Sequence, residues 1–138
     1  MEITPNLYLG NYNDSLVVDN YDTIINCSKN ILFSDENKQN YRIPINDDPN
    51  DTIILHKYID WILCVMDHEL SVGNKILVHC NHGQQRSPTI IACYLMKKYK
   101  WKLQYTIDYI KERKNDAFFF SINFIDFLKY FESNIIKK

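Results

Sequence analysis

The sequence predicts a single α/β domain: a small mixed central sheet flanked by helices, with a tight loop joining the central strand to a helix. Three observations predict it. The chain has 138 residues, enough to enclose one core and too few for two. Short β-branched runs fill its first third, and helical periodicities follow. Between them the apolar run Lys75–His79 passes through a glycine-bearing loop into an apolar helix near Pro88.

Taken in order, Asn6–Gly10 reads as a short edge strand that Gly10 stops. Thr23–Cys27 is β-branched and apolar, as a buried strand requires. The polar stretch from Ile31 to Asn40 reads as a loop, and Tyr41–Ile45 as a further strand. Pro44 puts that strand at an edge or at its own end, because proline cannot donate to a ladder. Asn46–Asp51 is rich in turn formers and reads as a loop. From Thr52 to about Leu70 the spacing of Leu55, Tyr58, Ile59, Ile62, Val65 and Met66 is helical. Asp51 or Thr52 can cap that helix, and Gly73 stands where a terminating glycine belongs. Lys75–His79 is the central strand, and Pro88–Lys98 is a helix with proline in its first turn. Leu103–Lys114 is amphipathic through Leu103, Ile107 and Ile110. A last helix presents Phe124, Phe127, Leu128 and Phe131, with Ser121 as its expected cap.

Composition narrows the function. Sixteen basic and seventeen acidic side chains give a net charge of −1, which argues against a generally basic nucleic-acid binder. No apolar run approaches the ~20 residues that span a bilayer, and the opening MEITPNLYLG lacks a secretory leader. A cytoplasmic location with reduced thiols is therefore expected. The cysteines at 27, 64, 80 and 93 form no CxxC pair and match no zinc spacing, so neither a metal nor another cofactor is expected. Arginine is scarce, three against thirteen lysines, so Arg86 stands out as kept for its planar fork.

The chemistry concentrates in His79-Cys80-Asn81-His82-Gly83-Gln84-Gln85-Arg86-Ser87. A strand that ends at His79, a turn eased by Gly83 and a helix start make main-chain N–H groups converge on one point. With the helix dipole beneath them they form an anion site spanning residues 81–86. The same field lowers the pKa of a thiol from about 8.5 toward the ~3.5–7.5 range, so Cys80 is the expected nucleophile. Arg86 can grip two equatorial phosphate oxygens, and Ser87 can donate to the sulfur when it departs. His79 is expected to be buried and to bond loop carbonyls, aiming Cys80. The leaving oxygen needs a proton, and the loop 46–51 offers Asp47, Asp48 and Asp51. Asp47 follows the strand most directly and ranks ahead of Asp48.

These residues resemble the signature loop of the cysteine-dependent protein phosphatases, and the whole chain is similar to their small dual-specificity branch. The likeness extends to ITPNLYLGNYNDS, TIINCS, IPINDD, ACYLMKKYKWKLQYTIDYIKERK and SINFIDFLKYFE. It implies a protein tyrosine phosphatase-like fold, with residues 1–138 as a bare catalytic domain. It also implies metal-free hydrolysis of phosphotyrosine, with phosphoserine and phosphothreonine left open, through a phosphocysteine on Cys80. Asp47 would act first as acid and then as base. The bulky Gln85 and His82 depart from the residues the branch often carries there, which bears on pocket width and substrate choice. Ser121 stands where the branch commonly has Asn, a swap that still caps a helix.

Other readings stand beside this one. The spelling His-Cys-x-His-Gly resembles RNA 5′-triphosphatases, but the loop lacks lysine and the chain is not basic. A dead phosphate-binding module would keep the fold without the reaction. Cys27 is either a small buried hydrophobe or a partner for Cys80 in a protective disulfide. Cys64 and Cys93 read as core or inert thiols, and Lys97, Lys98, Lys100 and Lys102 as a solvated basic face able to steer acidic substrates. Phe118-Phe119-Phe120 should pack under the last helix, and an exposed part would suggest a dimer surface. Phosphorylated proteins are the expected partners, and the oligomeric state is open.

Overall fold

A computed structural model describes residues 1–136. Five strands form one sheet: β1 Glu2–Thr4, β2 Leu7–Gly10, β3 Thr23–Asn26, β4 Gln39–Arg42 and β5 Ile76–His79. Their order is β1-β2-β5-β3-β4, with β1 antiparallel to β2 and the other neighbours parallel. Among the described residues four α-helices accompany them: α1 Thr52–Ser71, α2 Arg86–Tyr99, α3 Leu103–Arg113 and α4 Ile125–Ile136. None is long and apolar enough to cross a membrane.

The register decides where the chemistry lies. Gly10 and Asn26 both pair with His79, so β2, β5 and β3 finish in line. Every loop that leaves their carboxyl ends therefore opens into one crevice, the usual ligand side of a parallel sheet. Alternation then sorts the faces. Leu7, Leu9, Ile25, Ile76 and Val78 join residues of all four helices in the main core. Ile24 and Leu77 point the other way and are covered by Val18, Tyr21 and Phe33 from connecting loops.

Most elements fall where the sequence puts them, and the departures have local causes. β2 is not an edge strand, because β1 covers it through a Pro5–Asn6 turn with Asn6 at φ 69°. The three residues of β1 carry too little pattern to be seen alone. The fourth strand sits earlier than Tyr41–Ile45. Its ladder ends at Arg42, one further bond joins Ile43 N–H to the Asn26 carbonyl, and Pro44 can donate nothing beyond.

Caps differ as well. The Asp51 side chain does not cap α1; it accepts the Asn46 N–H at 2.8 Å and closes the 46–51 loop. Ser121 does not cap α4, which starts four residues later; its hydroxyl bonds the Asn123 side chain. Gly73, at φ 86°, does follow the end of α1 as expected. Cys93 is buried in α2, whereas Cys64 is exposed on α1 rather than in the core.

Candidate active site

Cys80 is the first residue beyond β5 and is only 2% exposed. Its Sγ accepts the Gly83 N–H at 3.3 Å and lies 3.1 Å from Ser87 Oγ. Ser87 belongs to the first turn of α2, so the sulfur sits over a helix N-terminus with free main-chain donors. Gly83 makes this possible in two ways. It holds φ 70°, and a Cβ there would stand 2.8 Å from the Gly10 carbonyl oxygen. The loop is pinned from outside by Tyr12 N–H to the Asn81 carbonyl and Phe118 N–H to the Gln84 carbonyl.

Arg86 Nη1 donates to the Ile45 carbonyl at 3.1 Å, while its Nε is buried with no hydrogen-bond partner. A buried donor left unsatisfied costs about 1–3 kcal/mol, so such groups in native folds call for a reason. An oxyanion held by the loop would supply one. The same guanidinium bond fixes Ile45, two residues before Asp47, at the rim of the site.

Asp47 is exposed, and its Oδ1 accepts the Asn123 amide at 2.9 Å. Asn123 N–H in turn donates to Gln85 Oε1 at 2.9 Å. The Gln85 amide also donates to the carbonyls of Ser121, at 2.7 Å, and Phe119, at 3.3 Å. A short relay thus runs from the anion loop through Asn123 to Asp47. Asp48 instead accepts the Asn50 N–H, and Asp51 is committed to Asn46. Of the three carboxylates, only Asp47 is tied to the segment bordering the loop.

Two expectations about loop side chains change here. Gln85 does not narrow a phosphate pocket; its side chain is buried and turned toward residues 119–123. Gln84 is likewise engaged outside, where its amide contacts Asp116. Asn81 and His82 are exposed, with Asn81 Nδ2 and His82 Nε2 3.3 Å apart. Any role of Gln84 and Gln85 toward a phosphate therefore rests on their main-chain N–H groups.

The His79 imidazole is buried as expected, and Nδ1 has no hydrogen-bond partner, while the ring's main-chain partner is Cys80. Burial pulls its pKa from 6.5 down to about 4, only partly opposed by the Cys80 main chain. Between these values the unfolded chain binds a proton that the fold does not. His79 therefore contributes stability that is full above pH 6.5 and is lost as the pH falls toward 4, by about 3 kcal/mol. Urea unfolding at pH 7 and pH 4.5 should show this loss in the native chain and a smaller one in His79→Asn.

Nearby, burial raises the Cys27 thiol well above its ordinary range; charge on Cys80 acts in the same direction and Arg86 against it. All four cysteines are free.

The structure also brings up groups the sequence did not reveal. Lys114 Nζ would lie 3.1 Å from a Cβ placed on Gly83, so a cation does adjoin the loop from the end of α3. It is paired with Asp116, whose carboxyl is held below its usual range: burial works against the charge, and Lys114 and Gln84 outweigh it. The basic group at 97–102 stands apart. Lys98 is twelve residues along α2 from Arg86, about 18 Å, beyond a ~8 Å Debye length. Among the described residues no group of three or more His, Cys, Asp or Glu could hold a metal.

Comparison with known proteins agrees with this geometry. The family profile described as "Dual specificity phosphatase, catalytic domain" matches residues 7–134. A protein of Invertebrate iridescent virus 6 that carries a tyrosine phosphatase name, 123R, is 32% identical over 95% of this chain and 90% of its own length. Human dual specificity protein phosphatase 5 is 37% identical over 83% of this chain, which spans only 31% of that protein. The crystal structure of human DUSP28 superposes with a TM-score of 0.85 at 20% identity, covering 99% of this chain and 97% of that one.

Proposed function

The chain belongs to the dual specificity phosphatase catalytic-domain family, and we propose that it hydrolyses phosphorylated proteins through Cys80, Arg86 and Asp47. Its enzyme class is that of the dual-specificity protein-tyrosine phosphatases. The assignment of residues rests above all on the unpartnered Arg86 Nε and on the Cys80 sulfur, at the start of the same loop, which accepts a main-chain N–H.

In this reading the N–H groups of residues 81–86 and the Arg86 guanidinium bind the three non-bridging oxygens of a phosphate monoester. They place phosphorus over Cys80. The Gly83 N–H and the α2 N-terminus offer donors to the sulfur, which acts as the nucleophile. Sulfur attacks phosphorus as the ester P–O bond breaks, and Asp47 delivers a proton to the departing oxygen. Water then attacks the phosphocysteine. Asp47, now a carboxylate, takes a proton from that water, the S–P bond breaks, and inorganic phosphate leaves. Ser87 Oγ donates to the thiolate as it is released. His79, kept neutral by burial, packs behind the sulfur as a positioning residue.

Substrates are phosphotyrosyl proteins, with phosphoseryl and phosphothreonyl proteins as slower ones, acted on in the cytoplasm. Nucleic acid ends are poorly served: Lys114, which adjoins the loop, is neutralised by Asp116. A panel of phosphotyrosyl peptide, phosphothreonyl peptide and triphosphate-ended RNA tests the reading. Phosphate should be released from the first fastest and from the last negligibly. Preferred turnover of the RNA would overturn the substrate class.

A further inference from the structure

Beside the site the chain makes a costly shape. Phe118 and Phe120 both adopt left-handed backbone, φ 57° and 66°, which bulky residues disfavour. Phe118 is buried, whereas Phe119 is 48% and Phe120 94% exposed, so the aromatic run does not pack wholly under the last helix. The two exposed rings lean against one another, tilted by 49° with centroids 4.1 Å apart. Phe120 also lines a shallow groove with Phe118, Ile122, Ile125 and Lys111.

This ridge is bolted to the anion loop. Phe118 N–H donates to the Gln84 carbonyl at 2.6 Å, and the Gln85 amide donates to the carbonyls of Phe119 and Ser121. Two residues beyond Ser121, Asn123 holds Asp47. The rings therefore stand on the segment joining the phosphate loop to the acid, at the border of the mouth.

We propose that Phe119 and Phe120 dock a large apolar side chain of the substrate polypeptide, within two residues of the phosphorylated one. The inference rests on the phosphatase reading and deepens it by naming a sequence preference. A substrate segment is a better occupant than a second copy of this chain. Two aromatic side chains bury ~150–250 Å² each, far short of the ~1,200 Å² of a stable interface. One apolar residue of a substrate needs no more than such a patch. The segment that carries the rings is hydrogen-bonded both to the phosphate loop and, through Asn123, to Asp47, which puts the patch beside the bound phosphoresidue rather than on a remote face.

The test uses phosphotyrosyl peptides that differ only by Leu or Ser at one of the four nearest flanking positions, with a small aryl phosphate as control. The native chain should favour Leu at one position by about tenfold in kcat/KM. Phe119→Ser/Phe120→Asn should lose that preference and keep aryl phosphate turnover within about twofold; Asn tolerates the left-handed backbone at 120. Phe120→Asn alone, which removes the most exposed ring, should lose a large part of the preference even if the double variant folds poorly. A native chain indifferent to Leu, or a variant that keeps the preference, would overturn the proposal. So would sedimentation showing a dimer that dissociates in the variants with peptide selectivity unchanged. Failure of the phosphatase reading is separate: the native chain would then not hydrolyse the aryl phosphate.

Discussion

Cys80→Ser should lower aryl phosphate hydrolysis by a factor on the order of 10⁴ or more while leaving oxyanion binding in place. A serine oxygen at this position has the same donors around it, the Gly83 N–H and Ser87 Oγ. A hydroxyl is not ionised by such a field near neutral pH, so the nucleophile is lost. The groups that hold phosphate are not altered: the loop N–H groups, Arg86 and the α2 N-terminus remain. Tungstate binding measured by calorimetry should stay within a few-fold of the native value. Turnover retained in the variant would remove Cys80 from the mechanism. Loss of both turnover and tungstate binding would mean that the cysteine is needed to shape the loop.

Asp47→Asn is expected to cost 10²–10⁴-fold, with the leaving group deciding where in that range. A nitrophenolate departs without a proton, so the effect there is small. A phosphoseryl or other alkyl ester needs the proton and shows the full loss. Asp48→Asn should stay near the native rate, since that carboxylate is occupied with the Asn50 N–H. If Asp48→Asn alone carried the leaving-group signature, the two roles would be exchanged. Asn123→Ala should reproduce the signature of Asp47→Asn in weaker form. Its amide positions the carboxylate and touches no reacting atom.

The central part of the site was legible because its determinants are local. The run from Lys75 to Pro88 contains the strand, the glycine, the thiol, the guanidinium and the helix start within fourteen residues. The sheet edge that receives Asp47 also follows from the chain, since residues after a parallel strand emerge at its carboxyl end. What was not legible depends on distant pairs. Asn123 meets Asp47 across 76 residues, and no periodicity or turn signal announces that contact. The same holds for Gln85, which looked like a pocket residue from its place in the loop. Its side chain finds partners 36 and 38 residues away. Lys114 reaches the loop because α3 ends behind Gly83, a consequence of helix packing rather than of spacing. The fourth strand was misplaced because Ile43 and Ile45 are fully buried beyond the ladder, so their apolar pattern mimics paired strand.

The central claim is that Cys80, set among main-chain donors at a helix end, is the nucleophile. Acid quenching during turnover of a phosphotyrosyl peptide that carries a radiolabelled phosphate tests it most directly. The account predicts label bound covalently to the protein, mapping to Cys80 and absent from Cys80→Ser. Turnover by the native chain with no label on Cys80 would contradict it.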